Sequence, residues 1–243
     1  MPKKAVNEEW KKKRRKEFLE QKTDLFYIFC EGEQTEPNYF KKFKQIIESN
    51  PIYKNMVLIK IEGCAAETMR VISQAEDYVA RNQIKKGQIW CVFDKDSFPA
   101  KDFNGVEKRA EFLNKNNDKL KYNVAWSNEC IEYWFILHFD NYSSNNSRTE
   151  YIRYLNKKFS DLKIGKYKKN MDNIFDILRE HGHPDLAIRY AKRIIDDNKG
   201  KTPSQIAPGT KVYELVESLV KYFPEEIKKE FINEDEKEKD KNS

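Results

Sequence analysis

The sequence predicts an α/β fold, a mostly parallel sheet flanked by helices, followed by a helical C-terminal region. Short apolar runs are long enough to be strands buried on both faces rather than one. Longer stretches with helical spacing lie between them, so strand and helix alternate as they do around a parallel sheet. Two of the runs, LFYIFCEGEQTE (25–36) and IWCVFDKDSF (89–98), also end in carboxylates, where a strand would leave its sheet.

The elements follow in order. A strand over 25–30 leads into a helix over 37–48, because Pro37 suits a first helical turn, where its missing N–H would have no partner. Thr35 or Glu36 is available to cap that helix. A strand over 56–61, a helix over 67–82, a strand over 88–94, a helix over 105–116 and a strand over 121–127 continue the alternation. The spacing of Ile131, Trp134, Phe135 and His138 predicts a helix over 128–139. The polar stretch NYSSNNSR (141–148) marks a domain boundary. Beyond it only helical patterns occur, over 150–159, 173–181, 184–198 and 212–222. The chain thus divides into a basic lead-in (1–22), an α/β domain (23–140), a helical region (141–232) and a charged tail (233–243), the tail expected to be disordered.

Charged residues reach 35% against 39% hydrophobic, yet the apolar residues cluster in runs, which implies a globular protein rather than a disordered one. Much of the net charge of +6 comes from Lys3, Lys4 and the run Lys11 to Lys16. Such a run attracts phosphate backbones or an acidic partner; a solvated terminus is the competing reading. Cys30, Cys64, Cys91 and Cys130 show no CxxC spacing and read as small hydrophobes in a reducing compartment. No signal-peptide stretch opens the chain and no apolar run is long enough to span a bilayer, so a cytoplasmic location is expected, with no membrane partner.

Parallel α/β sheets bind ligands at the carboxyl edge of their strands. Glu31 ends the first strand, Asp94 ends the third and Asp96 follows two residues on, so three carboxylates converge on one crevice. They repel one another unless a cation lies between them. Oxygen-only ligands suit Mg²⁺ or Mn²⁺, and the lack of paired Cys or His disfavours zinc. The competing reading is that the acids are ordinary strand-end and turn residues. A haloacid-dehalogenase phosphatase needs Ser or Thr where Phe98 stands, and no GxxxxGK[ST] occurs to support a P-loop ATPase. Glycosyltransferases also end a strand with DxD, so a nucleotidyl- or glycosyl-transferase stays open.

Four segments, CEGEQTEPNYF (30–40), VFDKDSF (92–98), SNECIEYWFILHF (127–139) and APGTKVYELVESL (207–219), together resemble the RloB family, one of the Toprim-fold proteins related to OLD-family nucleases. The resemblance implies a Toprim-like domain and a Mg²⁺- or Mn²⁺-dependent nuclease. Glu31 would be the general acid/base or a metal ligand, with Asp94 and Asp96 as catalytic metal ligands. Glu36 would occupy a second acidic position supporting a second metal, although its spacing departs from the related nucleases by one residue; a helix-start acid is the alternative. The resemblance sets the 128–139 helix beside the crevice, making Glu132 a candidate metal residue, with a surface acid as the alternative. Asn128 and Glu132 would share one face of that helix. His138 reads as a packed helix residue.

Lys166, Lys168 and Lys169, with Tyr167 among them, are candidates for tracking a nucleic-acid backbone and stacking on a base, against a solvated lysine-rich loop. Lys211 either reaches the active site or starts a helix. RloB-like proteins are similar to effectors of bacterial anti-phage abortive infection encoded beside an AAA- or ABC-type ATPase. That similarity implies an ATPase partner and an RNA, tRNA or DNA substrate, with self-association left open. A catalytically silent Toprim scaffold that binds nucleic acid or an ATPase is the alternative from another class.

Overall fold

The computed structural model describes residues 24–64, 68–115 and 117–232. The basic lead-in and the charged tail lie outside the described residues. Strands β1 (Asp24–Cys30), β2 (Val57–Gly63), β3 (Gly87–Asp94), β4 (Leu120–Asn128) and β5 (Gly209–Thr210) form one sheet in the order β2-β1-β3-β4-β5. The first four pair in parallel and β5 joins antiparallel to β4. The expected α/β architecture with a mostly parallel sheet flanked by helices is what the chain adopts.

Side chains of a strand alternate between faces, and β1 shows why its run is apolar throughout. Phe26, Ile28 and Cys30 enter one core, while Leu25, Tyr27 and Phe29 enter the other. Helices α2 (Thr68–Arg81) and α3 (Ala100–Asn114) cover the second face with Val71, Ile72, Phe103 and Val106. The first face is covered by α1 (Thr35–Ser49), α4 (Glu132–Leu137), α5 (Arg148–Asp161), α6 (Ile174–His181), α7 (Pro184–Asp197) and α8 (Val212–Val220). A short α9 (Glu225–Lys228) follows. Residues on both sides of the 141–148 stretch therefore share one apolar core. Phe43 of α1 meets Phe175 of α6 at 4.8 Å and Phe223 at 5.3 Å between ring centroids. Each such fully buried aromatic contributes about 1.5–3 kcal/mol through the water it sheds.

Four local expectations need correction. The α1 helix begins at Thr35 behind Gln34, and the Thr35 hydroxyl donates to the Lys169 carbonyl at 2.7 Å instead of capping the helix. The α3 helix starts at Ala100, five residues earlier than its apolar spacing suggests, with Phe103 in its buried face. Residues 128–131 are not the start of a long helix. Asn128 is the last residue of β4, pairs with Gly209, and donates its side-chain amide to the carbonyls of Pro203 and Ile206 at 3.2 and 3.0 Å. It therefore shares no helical face with Glu132. The C-terminal region is also not wholly helical, since it supplies β5. That two-residue strand pairs with the last two residues of β4, with a buried contact between the Ser127 and Thr210 hydroxyls at 3.1 Å.

Candidate functional site

The cleft at the carboxyl edge of β1 and β3 is a direct product of their register. Cys30 lies opposite Val92, and the ladder runs one residue further as Glu31 N donates to the Val92 carbonyl at 2.9 Å. Glu31 is thereby aimed across the strand ends, where its Oε2 accepts the backbone N–H of Asp94 at 2.9 Å. Just past β3 the backbone hooks onto the end of β4: Lys95 N donates to Ser127 O and Asp96 N to Glu129 O, both at 2.9 Å. Asp96 takes a positive φ of 44°, a conformation that Asp tolerates better than most residues.

Two further carboxylates come from helix starts. Glu36 sits in the first turn of α1, 6% exposed, and a Cβ at position 32 would strike its Oε2, so glycine at 32 leaves room for it. Glu132 opens α4 at 1% exposure, where its Oε1 accepts the Tyr167 hydroxyl at 2.9 Å. The cleft encloses about 370 Å³, lined by six carboxylates against two cations, Arg148 and Lys169. Arg148, the first residue of α5, reaches in with Nη1 donating to Asp96 Oδ2 at 2.7 Å and Nη2 to Asp94 Oδ2 at 2.8 Å.

This crowding of negative charge changes proton affinities. Burial lifts Glu31 to about 7; the hydrogen bond from Asp94 N opposes the rise, while Glu36 and Asp96 add to it. Asp94 is raised by burial and by Glu36, more than Arg148 lowers it. Glu36 is raised for the same first reason, with Glu132 contributing.

Of the residues singled out in the sequence, Glu31, Glu36, Asp94, Asp96, Glu132 and Lys169 all line this one cleft. Lys166 and Lys168 are exposed on the same loop as Lys169 but are not part of the lining. Tyr167 is 5% exposed and bonded to Glu132, so it offers no face for a base to stack on. Lys211 lies elsewhere, paired with Glu107 of α3 at 2.7 Å and near Glu214 at 3.8 Å. His138 is buried with its Nδ1 bonded to the Trp134 carbonyl at 3.0 Å, a packed residue as expected. Glu33 and Arg148 are the charged lining residues that sequence reasoning missed. Arg148 closes a polar stretch that reads as a linker, and no spacing ties it to a DxD about fifty positions earlier.

A family profile described as RloB-like protein matches residues 26–219. The chain belongs to the RloB-like family. The match runs from β1 through α8 and so includes every residue of the cleft. No curated protein and no solved structure matches the chain. Among the described residues of this RloB-like chain, no helix is long and apolar enough to cross a membrane.

The donor set of the cleft suits a hard divalent cation in kind: all carboxylate oxygens, three of them holding protons more tightly than usual. In arrangement it is not closed around one. Among the described residues no three His, Cys, Asp or Glu side chains are grouped as ligands of a single metal ion, and the Arg148 guanidinium bridges the two aspartates.

Proposed function

We propose that the cleft is the active site of a Mg²⁺- or Mn²⁺-dependent, Toprim-like nuclease. The observation that carries this reading is the bond from Asp94 N to Glu31 Oε2, which locks the acidic ends of two adjacent parallel strands into one site alongside Asp96, Glu36 and Glu132. Asp94, Asp96 and Glu31 would hold the ion, with Glu36 and Glu132 as further oxygen donors. A bound divalent ion supplies the charge that polarises a phosphoryl oxygen and offsets the negative charge building up in the transition state.

The protein's own groups do the rest. Glu31 is either one of the ligands or, with its Oε2 held by the Asp94 N–H, the group placed to accept and return a proton. Lys169 stands at the rim as a point charge for a substrate phosphate. Its loop is fastened to α1 by the Thr35 hydroxyl on Lys169 O and by the Asn38 side-chain amide on Asn170 O at 3.4 Å. The substrate class is RNA, tRNA or DNA. Control by an AAA- or ABC-type ATPase and a role in anti-phage abortive infection complete the reading, both supported by the family resemblance.

The test is incubation with total tRNA, single-stranded RNA and plasmid DNA in Mg²⁺ or Mn²⁺, beside a Glu31→Ala/Asp94→Ala double variant, with and without the candidate ATPase. Cleavage by the wild type alone supports the reading and names the substrate. Absence of cleavage under every condition favours a second reading, a non-catalytic scaffold, which the bridging of Asp94 and Asp96 by Arg148 independently suggests.

A further inference from the structure

We infer that Arg148 stands where a divalent cation would bind and that the two exchange places, so that metal entry at Asp94 and Asp96 requires the guanidinium to withdraw. This rests on reading the cleft as a metal site, and it assigns to this chain a built-in competitor for its own cofactor.

Position is the first argument. The two Nη atoms each take one oxygen from a different carboxylate, Asp96 Oδ2 at 2.7 Å and Asp94 Oδ2 at 2.8 Å, so the positive charge lies between the two side chains that a shared ion would bridge. An arginine fork and a divalent ion are alternative answers to the same repulsion.

Incomplete satisfaction is the second. Arg148 Nε is buried without an acceptor, so the inserted pose leaves one of its donors unused. The guanidinium also answers only part of the demand: Glu31, Glu36 and Glu132 line the same cleft and none of them receives a hydrogen bond from it. A doubly charged ion would offset more of this crowding than one arginine does.

A path out is the third. The 141–147 stretch before α5 is held in place, the Tyr133 hydroxyl donating to Tyr142 O at 2.8 Å and Asn146 N to the Tyr151 hydroxyl at 3.1 Å, so what has to move is the side chain of Arg148 alone. That side chain is 26% exposed, which gives it a path out along the cleft wall. Withdrawal therefore asks for a change of side-chain rotamer, with Tyr151, Leu155 and Phe159 keeping α5 seated on the core.

The experiment is a Mn²⁺ titration of the full chain, followed by the electron paramagnetic resonance signal of the free ion. The proteins are the wild type, Arg148→Gln, Arg148→Lys and Asp94→Asn/Asp96→Asn. Removing the competing charge in Arg148→Gln is expected to tighten Mn²⁺ binding about tenfold or more. Arg148→Lys, which keeps the charge, is expected to stay near wild type, and the double Asn variant to lose binding. Wild-type binding that Arg148→Gln leaves equal or weakens would overturn the exchange while leaving the metal site standing. No binding by any variant, Arg148→Gln included, removes the metal reading and the exchange with it. Should Arg148→Gln fail to fold, the wild type decides by nitrogen-detected NMR of arginine side chains under Mg²⁺ titration. The restrained Arg148 guanidinium signal, assigned by its loss in Arg148→Lys, should disappear as the ion binds. Its persistence at saturation would overturn the proposal.

Discussion

Glu31 carries opposite demands from stability and from chemistry. Its folded pKa, about 7, lies above the value of an unfolded glutamate, so its contribution to stability is fully present below about pH 4.5 and is lost as pH rises through 7. In a metal-free buffer at pH 8 the ionised side chain is a net burden on the folded state. Glu31→Gln should then stabilise the protein by about 1–2 kcal/mol, allowing for its partial solvation, while abolishing any cleavage. Urea unfolding in EDTA measures this, and a destabilised variant would argue that the hydrogen bond to Asp94 N outweighs the charge. His138 runs the other way. Burial lowers it to about 4, so between pH 6.5 and 4 the unfolded chain takes up a proton that the folded chain refuses. That costs about 3 kcal/mol by pH 4. His138→Asn, which keeps a donor for the Trp134 carbonyl, should flatten the loss of stability over that window, and an unchanged slope would assign acid sensitivity to other groups. At this scale Glu31, Asp94 and Asp96 were legible, because a carboxylate at the end of an apolar run is a local pattern; Glu36 and Glu132 came with the family resemblance, and Glu33 was not singled out. Arg148 was not legible, since its meaning depends on a fold that carries the start of α5 back over β3.

Elements were legible where hydrophobic period alone defines them and illegible where distant pairing does. The four parallel strands read as short apolar runs, and the long helices repeat apolar residues at helical spacing. β5 has two residues and no pattern, and exists because Gly209 and Thr210 find the end of β4. The early half of the expected 128–139 helix fails for the same reason: a carboxamide that satisfies two carbonyls of the 203–206 turn holds Asn128 in the strand. The loop over 166–169 also changes meaning once placed. Read as a basic, base-stacking segment, it instead inserts Tyr167 beneath the cleft to donate to Glu132. Tyr167→Phe should cost about 1–3 kcal/mol, because the buried carboxylate loses its tyrosine donor. The same variant should weaken any Mn²⁺ binding by loosening Glu132. Thermal unfolding and Mn²⁺ titration check the two effects, and an unaffected melting curve would mean that Glu132 finds another partner.

For the molecule as a whole, one apolar layer joins α1 to helices from the far end of the chain. Phe43, Phe175, Phe223 and Phe231 form a single aromatic cluster, with Phe175 and Phe231 stacked at an interplanar angle of 15°. A chain ended at residue 140 would strip this face of the sheet of α5 to α8 and of β5. It is expected to lose cooperative unfolding and to show collapsed, poorly dispersed proton NMR spectra, whereas a sharp melt from that fragment would establish 23–140 as an autonomous unit. Sequence composition marked the polar stretch at 141–148 but carried no trace of which surfaces would meet across it. The contact between the Ser127 and Thr210 hydroxyls spans 83 positions, so the covering of β4 is also an event in time. At roughly 5–20 residues per second of synthesis, the ribosome takes on the order of 4–17 s to deliver the covering strand after the strand it covers. Through that interval the end of β4 at Ser127 and Asn128 presents unpaired backbone groups to its neighbours on the polysome, and a translational pause before Gly209 lengthens the exposure.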